Sequence, residues 1–205
     1  MIAKIPKDVD ALLVVLGGSD AVNFLTQYEQ AGGTKPMVGG SITVDQTVLN
    51  YKGKRRESLV GTASAGPMAD SLDTAEWKKF VADYKANFKD GFPSPSLFAY
   101  LYYINTKAAL DGLDAVKGDL SGGQKKYREA LQKTKFVGPA GEVVIDANRN
   151  GVGPTYITEV TKAADGSLFN KVVKTVPNIT QTLGLPEAEF KKMGLGTRDI
   201  PDCRK

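Results

Sequence analysis

Hydroxyl and carboxylate side chains follow the first two apolar segments of the chain, where they are well placed to hold a small ligand. Ser19 and Asp20 come after the first segment. Ser41, Ile42 and Thr43 come directly after the second. Main-chain N–H groups at the start of a helix, together with a serine hydroxyl, can bind a carboxylate. A plain helix cap at Ser19 or Asp20 is an equally good interpretation.

The residue types needed for common catalytic and metal sites are scarce. The chain contains no histidine, and Cys203 is its single cysteine. Histidine is the commonest general base and neutral metal ligand, and one cysteine can form neither an internal disulfide nor a cysteine metal cluster. The sequence therefore predicts a protein that is not an enzyme, with no metal site and no cofactor.

Two short motifs match nucleotide and calcium sites only in part. Residues 120–124 spell the signature pentapeptide of ABC ATPases, but no Gly-rich phosphate loop accompanies it, so we expect Ser121 simply to cap a helix. Residues 146–151 match the first half of a calcium-binding EF-hand loop, yet Ile157 stands where a bidentate carboxylate is needed. We therefore expect a hairpin turn at Asn150 and Gly151.

Charge and hydropathy limit the partners. The 205 residues include 27 basic and 23 acidic side chains, and the net charge of +4 is too small to predict nucleic-acid binding. The longest apolar run, residues 11–16, is far shorter than the roughly 20 residues of a membrane-spanning helix, so no membrane insertion is expected. No secretory signal is visible at the start of the chain.

The first part of the chain alternates strand and helix patterns. Residues 11–16 predict a strand buried on both faces, a helix then runs to Gly32 and Gly33, and residues 36–39 predict a second strand. This pattern is typical of a parallel sheet and an α/β fold. Ligands of such sheets bind outside the carboxyl ends of the strands, so we expect Ser19 and residues 41–43 to lie near one cleft.

The rest of the chain predicts helices and then strands. A third strand is expected at residues 59–65, and Asp73 with Glu76 resembles a capping box for a helix carrying Trp77. The aromatic residues of a long helix, predicted from about residue 96 to residue 116, cannot all share one face. A further helix is expected over residues 122–134. An antiparallel meander from residue 142 completes the prediction.

Four stretches together resemble the type I periplasmic binding proteins that serve branched-chain amino acid and aromatic acid import. Residues 8–19 and the Gln-Ala-Gly-Gly at residues 30–33 look like the family's second-lobe strand and helix. Residues 92–100 look like the helix that brings aromatic side chains to the ligand, and residues 136–146 look like a late strand of the family. They occur in the expected order over nearly the whole chain.

The resemblance implies two Rossmann-like lobes that close on a ligand by a hinge, of which this chain supplies an incomplete later portion. It places residues 1–62 in the second lobe and residues 63–136 in the first, and it returns residues 137–205 to the second. The implied function is the extracytoplasmic solute-binding component of an ABC importer, located in the periplasm, with the signal peptide outside this chain. A ligand-sensing domain of the same fold in a receptor or regulator is the alternative.

The resemblance also implies the partners and the ligand contacts. The partners are a small organic acid or amino acid and the membrane subunits of the importer. Ser19, Asp20 and residues 41–43 would line the second-lobe wall, and Phe98 and Tyr100 would cover the ligand from the other side. Amino-acid binders of the family commonly have an acidic residue at the position of Ser41. The serine favours an acid without an amino group, unless Asp20 or Asp45 compensates.

Overall fold

The computed structural model describes residues 2–51, 54–194 and 196. The strands of this part of the chain are β1 (Leu12–Val14), β2 (Met37–Gly40), β3 (Ala63–Gly66), β4 (Lys135–Gly138), β5 (Gly141–Ile145), β6 (Gly151–Lys162) and β7 (Leu168–Ile179). The α-helices are α1 (Gly18–Gln30), α2 (Gln46–Leu49), α3 (Ala75–Asn87), α4 (Leu97–Ala115), α5 (Ser121–Gln132) and α6 (Glu187–Lys192). Short 3₁₀ helices occupy Ile2–Lys4 and Lys54–Leu59.

The strands form one mixed sheet in the order β1-β2-β3-β6-β5-β4, and β7 pairs with β6 on a separate branch. The first three strands are parallel, whereas every pairing that involves β4 to β7 is antiparallel. Helices connect the parallel strands, because a parallel pair needs a crossover. The predicted α/β fold class and the predicted antiparallel meander are both confirmed.

The prediction that the first strand is buried on both faces is wrong. Strand β1 contains only three residues, and its side chains alternate between the core and solvent. Val14 is buried, whereas Leu13 is 77% exposed and Val15, just after the strand, is 63% exposed. In the described structure the buried face of β1 joins the cluster that includes Ala21 and Leu25 of α1, and the opposite face is open.

The third strand begins later than the sequence predicts. Residues up to Leu59 form a 3₁₀ helix, and β3 starts only at Ala63. Gly61 adopts a positive φ of 84° and donates its N–H to the carbonyl of Val160, which turns the chain into the sheet. Leu59 is fully buried in the core, so its apolar character reflects packing of the turn and not strand formation.

Two helix caps differ from the predicted ones. Helix α1 is capped by Gly17 without a side-chain hydrogen bond, so Ser19 and Asp20 lie in its first turn and do not cap it. Helix α3 begins one residue later than a cap at Asp73 would require, because the Thr74 hydroxyl accepts the hydrogen bond from the N–H of Trp77. Both helices nevertheless begin within a residue or two of the predicted position.

The signature pentapeptide forms a left-handed turn at the start of α5, and the predicted cap at Ser121 is wrong. The Ser121 hydroxyl donates to Asp119 at 2.6 Å, and α5 has no side-chain cap. Residues 122–124 all have positive φ, between 58° and 65°. Two of these three residues are glycines, which adopt this conformation without steric cost, so the turn accounts for the glycine pair.

The turn between β5 and β6 lies slightly before the predicted Asn150 and Gly151. One Asp146 carboxylate oxygen accepts hydrogen bonds from the N–H groups of Asn148 and Asn150, at 2.9 and 2.8 Å. Arg149 has a positive φ of 68°, and Gly151 already begins β6. The carboxylate therefore closes a turn, as expected of an Asx motif.

Two hydrophobic clusters form the core. The first lies between the parallel strands, α1 and α2, and contains Val14, Ala21, Leu25, Tyr28, Met37, Val44, Val48, Leu49, Leu59, Val160 and Leu168. The second is built around α3 and α4, and contains Met68, Ala69, Trp77, Phe80, Leu97, Tyr100, Ala140 and Tyr156. Strand β6 contributes Tyr156 to one cluster and Val160 to the other. The predicted boundary at residue 136 falls inside β4.

No helix in the described ranges combines the length and the apolarity that crossing a membrane takes.

Candidate ligand-binding site

The carboxyl ends of the three parallel strands meet at one edge of the sheet. Val14 lies opposite Gly39, and Gly40 lies opposite Ala65, so the segments that follow the strands leave the sheet side by side. We name this edge the strand-end surface and define it by residues 16–19, residues 41–43 and Gly66. This arrangement brings the predicted contacts Ser41, Ile42 and Thr43 beside the start of α1, as expected.

Glycines allow the close approach of these segments. A methyl group added at Gly66 would overlap the Cβ atom of Ser41 and come within 2.9 Å of its Oγ atom. A methyl group added at Gly17 would overlap the side chain of Ile42. Ser41 and Ile42 are therefore packed onto backbone, which fixes their position while leaving each of them partly exposed.

Thr43 holds the strand-end surface together. Its hydroxyl donates to the carbonyl of Val14 at 2.9 Å and accepts from the N–H of Leu16 at 3.0 Å. The side chain is 1% exposed, and its only proton is used in the bond to Val14. Thr43 therefore ties the end of β1 to the turn after β2, and it offers no free donor to a ligand in this conformation.

Ser19, at the end of the first segment of the strand-end surface, and the next residue, Asp20, lie in the first turn of α1, and both are exposed. The first N–H groups of a helix have no partner within the helix, and the helix dipole makes this end favourable for an anion. Asp20 places a negative charge at the same end. The start of α1 is thus polar and accessible, with one carboxylate that an approaching anion would meet.

The first turn of α4 carries the other two predicted ligand contacts, Phe98 and Tyr100. Phe98 is 44% exposed, whereas Tyr100 is only 2% exposed and belongs to the second hydrophobic cluster. Burial, with a smaller contribution from the neighbouring Tyr156, raises the pKa of Tyr100 to about 12, so its phenol stays neutral. Phe98 is accessible to a ligand in this conformation, whereas Tyr100 is packed inside the second hydrophobic cluster.

A buried polar network beneath the strand-end surface was not expected from the sequence. We name Asp45, Gln46, Asp70 and Asn170 the polar junction. The Gln46 amide and the Asn170 N–H donate to the same Asp70 carboxylate oxygen, each at 2.9 Å, and the Asn170 amide donates to the carbonyl of Val44 at 2.7 Å. The sequence analysis considered Asp45 only as a possible charge partner for a ligand, and the contact between Asp70 and Asn170 was not visible because the two residues are 100 positions apart.

Asp45 contacts two helices. One carboxylate oxygen accepts from the N–H and the hydroxyl of Thr47, at 3.2 and 2.8 Å, and so caps α2. The other oxygen accepts from the N–H of Leu97, the first residue of α4, at 2.6 Å. Asp45 is 3% exposed and both of its oxygens are engaged, so it is not available to pair with a ligand ammonium group.

Asp70 is the buried carboxyl of the polar junction with a raised pKa. Burial raises its pKa, an effect that hydrogen bonds from Asn170 and from the Ser94 and Gln46 side chains oppose and that the nearby charge of Asp45 reinforces. Its second oxygen has no hydrogen-bond partner within normal distance and angle, and neither do the Ser94 hydroxyl and the side-chain oxygen of Asn170. The Ser94 hydroxyl therefore lies close to Asp70 without forming a well-aligned bond.

A large groove lies elsewhere on the molecule. It has a volume of about 1220 Å³ and runs between α3 and α4, where Tyr84, Phe88 and Tyr102 line it. None of the seven predicted ligand contacts lines this groove. Within the described residues, no group of three or more histidine, cysteine, aspartate and glutamate side chains is positioned to hold a metal ion.

A mixed α/β sheet with two hydrophobic cores that share strand β6 matches the fold of type I periplasmic binding proteins. A family model described as periplasmic binding protein matches residues 3–166. The chain therefore belongs to the periplasmic binding protein family of ABC transporters, and the resemblance seen in the sequence is confirmed.

Similar proteins cover different shares of the chain. The Leu/Ile/Val-binding protein homolog 6 of Brucella abortus is 30% identical over 125 residues, which are 58% of this chain and 30% of that protein. An ABC transporter substrate-binding protein from Sphaerobacter thermophilus is 28% identical with a TM-score of 0.71, over 82% of this chain and 45% of that one.

A solute binding protein of an ABC transporter from Rhodopseudomonas palustris BisB5, in complex with 3,4-dihydroxy benzoic acid, is 25% identical with a TM-score of 0.72. The match covers 83% of this chain and 46% of that one. The chain thus spans less than half the length of the solved structures described here, and about a third of the curated relative.

Proposed function

We propose that this chain forms part of the extracytoplasmic solute-binding component of an ABC importer, acting in the periplasm and delivering a small carboxylate to the importer's membrane subunits. The observation that carries the proposal is the strand-end surface, where Ser41 and the start of α1 face the same side. Family membership supports the transport role. Binding and release need no bond-breaking step, so we expect no turnover.

The strand-end surface contains no carboxylate of its own, and this favours an aromatic acid without an amino group over an amino acid, whose ammonium group only Asp20, exposed beside this surface, would be left to pair with. Ser41 offers a neutral hydroxyl, and Asp45 is unavailable as a partner for an ammonium group because it is buried and fully engaged. Phe98 provides an exposed aromatic face from α4. The R. palustris relative in complex with 3,4-dihydroxy benzoic acid is consistent with this class of ligand.

We also propose that the ligand is enclosed by a hinge motion between the two hydrophobic clusters. Solute-binding domains commonly close in this way, and the motion needs only a few residues at the connections between the two bodies. In this chain the connections include β6 and the segment between β3 and α3. Ligand contacts on both sides would then form only in the closed state.

The test is isothermal titration calorimetry of the chain with benzoate, 3,4-dihydroxybenzoate, leucine and isoleucine, supported by thermal shifts at increasing ligand concentration. A ligand that binds the folded state raises the melting temperature with concentration. We expect binding of at least one aromatic acid, and we expect Ser41→Ala to weaken it by about tenfold, equivalent to about 1.4 kcal/mol for one lost hydrogen bond.

The matched control is Ser121→Ala, which removes an exposed serine hydroxyl outside the predicted site. It should leave affinity unchanged. Binding of leucine or isoleucine in preference to both aromatic acids would contradict the assignment of ligand class, and equal weakening by Ser41→Ala and Ser121→Ala would contradict the assignment of the site.

A further inference from the structure

Asp45 lies where the two walls of the candidate site meet. It lies four positions after Ser41 along the chain, and it is hydrogen-bonded to the first residue of α4, the helix that carries Phe98. Its two carboxylate oxygens have different partners. One caps α2 through the N–H of Thr47, and the other accepts from the N–H of Leu97, at the start of α4, at 2.6 Å. A single buried carboxylate thus connects the turn after β2 to the start of α4.

The two helices belong to different cores. Val48 and Leu49 of α2 are in the first hydrophobic cluster, whereas Leu97 and Tyr100 of α4 are in the second. Helix α4 also has a cap of its own, because the Ser96 hydroxyl accepts from the N–H of Ala99 at 3.1 Å. The bond from Leu97 to Asp45 is therefore an additional restraint that links the helix to the other cluster.

The neighbouring bonds of the polar junction restrain Asp45 itself. Gln46 donates to Asp70, which lies in the connection between β3 and α3, and the Asn170 amide of β7 donates to the carbonyl of Val44. The residues on both sides of Asp45 are thus fixed from other elements. A carboxylate held in this way can set the position of α4 and does not simply follow it.

We propose that Asp45 is a positioning residue that sets the separation between the Ser41 turn and the first turn of α4, and thereby the width of the ligand site. The inference about geometry stands on these contacts alone, and its consequence for ligand affinity rests on the proposed function. An asparagine at this position has one acceptor oxygen and one amino group. It can satisfy one of the two helices, and its amino group faces an N–H donor of the other.

The experiment measures the distance between α1 and α4 by double electron–electron resonance. Spin labels are placed at Asn23→Cys and Asn105→Cys, two exposed positions on these helices, in a Cys203→Ser background. We expect Asp45→Asn to broaden or shift the distance distribution. The matched control is Ser96→Ala, which removes the cap of α4 at the same helix end and keeps the bond to Asp45, so its distribution should be unchanged.

If Asp45→Asn does not fold, Asp45→Glu is measured instead, because it keeps the charge and moves the acceptor oxygens by one methylene, which should shift the distance. A folded variant of either kind with the parental distribution would overturn the proposal. With a bound aromatic acid, we expect Asp45→Asn to raise the dissociation constant about tenfold and Ser96→Ala less than twofold. A chain that binds none of the tested acids would refute the proposed function while leaving the distance result decisive for Asp45.

Discussion

The two carboxylate oxygens of Asp70 differ in their hydrogen bonding. One oxygen accepts from the Gln46 amide and from the N–H of Asn170, while the other has no hydrogen-bond partner and the nearby Ser94 hydroxyl forms no aligned bond. An ionised carboxylate in this place leaves buried acceptors unmatched, and a buried unsatisfied polar group costs about 1 to 3 kcal/mol. A side chain with a hydrogen-bond donor in place of the second carboxylate oxygen would suit position 70 better.

Asp70→Asn supplies that donor and should stabilise the protein at neutral pH. The asparagine oxygen can accept the bonds from Gln46 and the Asn170 main chain, and its amino group can donate toward the Ser94 hydroxyl oxygen. We expect a gain of about 1 kcal/mol in the free energy of unfolding at pH 7, measured by urea denaturation. A loss of stability at that pH would contradict this account of the site.

The same variant should change the pH dependence of stability, with a definite sign. The pKa of Asp70 is raised in the folded state above its ordinary value of 3.8, so the unfolded chain loses the proton first as the pH rises. The folded protein is therefore favoured most below pH 3.8 and loses this contribution as the pH rises through the folded-state pKa.

The advantage of Asp70→Asn should accordingly be small near pH 3 and increase with pH through that window. Asp73→Asn is the control, since Lys78 lowers the pKa of Asp73 and removing that carboxylate should not reproduce the trend. An advantage that is constant from pH 3 to pH 8 would show that ionisation of Asp70 does not matter.

The sequence was informative about single residues where their neighbours lie nearby in the chain. Ser41 and Ile42 follow a strand-like run, so their place at the strand-end surface was predictable. The polar junction was not, because Asp70 meets Asn170 only after β3 and β7 have both joined the folded structure. Tyr100 was predicted as a ligand contact from the resemblance, and nothing in the local pattern showed that its side chain would be buried.

At the scale of elements, Gly66 at the end of β3 controls how closely the turn after β2 can approach. Its φ is ordinary, so the requirement for glycine is steric, and an alanine methyl group would overlap Ser41. We expect Gly66→Ala to destabilise the protein by about 1 to 3 kcal/mol and to displace Ser41. Urea denaturation and calorimetric titration with an aromatic acid would measure the two effects.

Gly151→Ala provides the matched control for that variant. Gly151 is also a strand glycine without a positive φ, but an added methyl group there meets no atom within 4 Å. Replacing it should be neutral or stabilise by a few tenths of a kcal/mol to about 1 kcal/mol, because alanine loses less conformational entropy on folding. Equal effects of the two substitutions would mean that contact with Ser41 is not what requires glycine at position 66.

Elements with strong local signals matched their predictions best. Helix α4 was expected at about residues 96–116 and is found at Leu97–Ala115, because Ser96 caps it and its apolar content is high. Helix α5 was predicted from about residue 122 and starts at Ser121, but the left-handed conformations of residues 122–124 were not predicted, because residue types alone do not specify them. The third strand was misjudged because Leu59 is buried by a turn, which gives the same apolar signal as a strand.

At the scale of the whole molecule, β6 makes the two hydrophobic clusters depend on each other. The strand pairs with β5 at its start, with β3 over residues 156–159, and with β7 from Gly153 to Lys162. Tyr156 lies in the second cluster and donates its hydroxyl to the carbonyl of Ala140 at 2.7 Å, while Val160, four residues later, is fully buried in the first cluster. A strand cannot leave one cluster without disturbing the other.

This continuity predicts a single cooperative unfolding transition. Trp77 is the only tryptophan of the chain and is buried in the second cluster, so its fluorescence reports that cluster alone, whereas far-ultraviolet circular dichroism reports the whole fold. We expect the two signals to change at the same urea concentration, as in two-state unfolding. We also expect Val160→Ala, which leaves a cavity in the first cluster, to shift the Trp77 transition by about 2 kcal/mol.

Val137→Ala is the comparison, because Val137 in β4 is largely exposed and its truncation should change stability by less than about 0.5 kcal/mol. If the clusters were independent, Val160→Ala would lower the midpoint of the dichroism signal and leave the Trp77 midpoint in place. A shift of both midpoints together would mean that the two clusters unfold as one unit connected by β6. Any hinge motion then has to occur as a bend within a folded strand and not by separation of two domains.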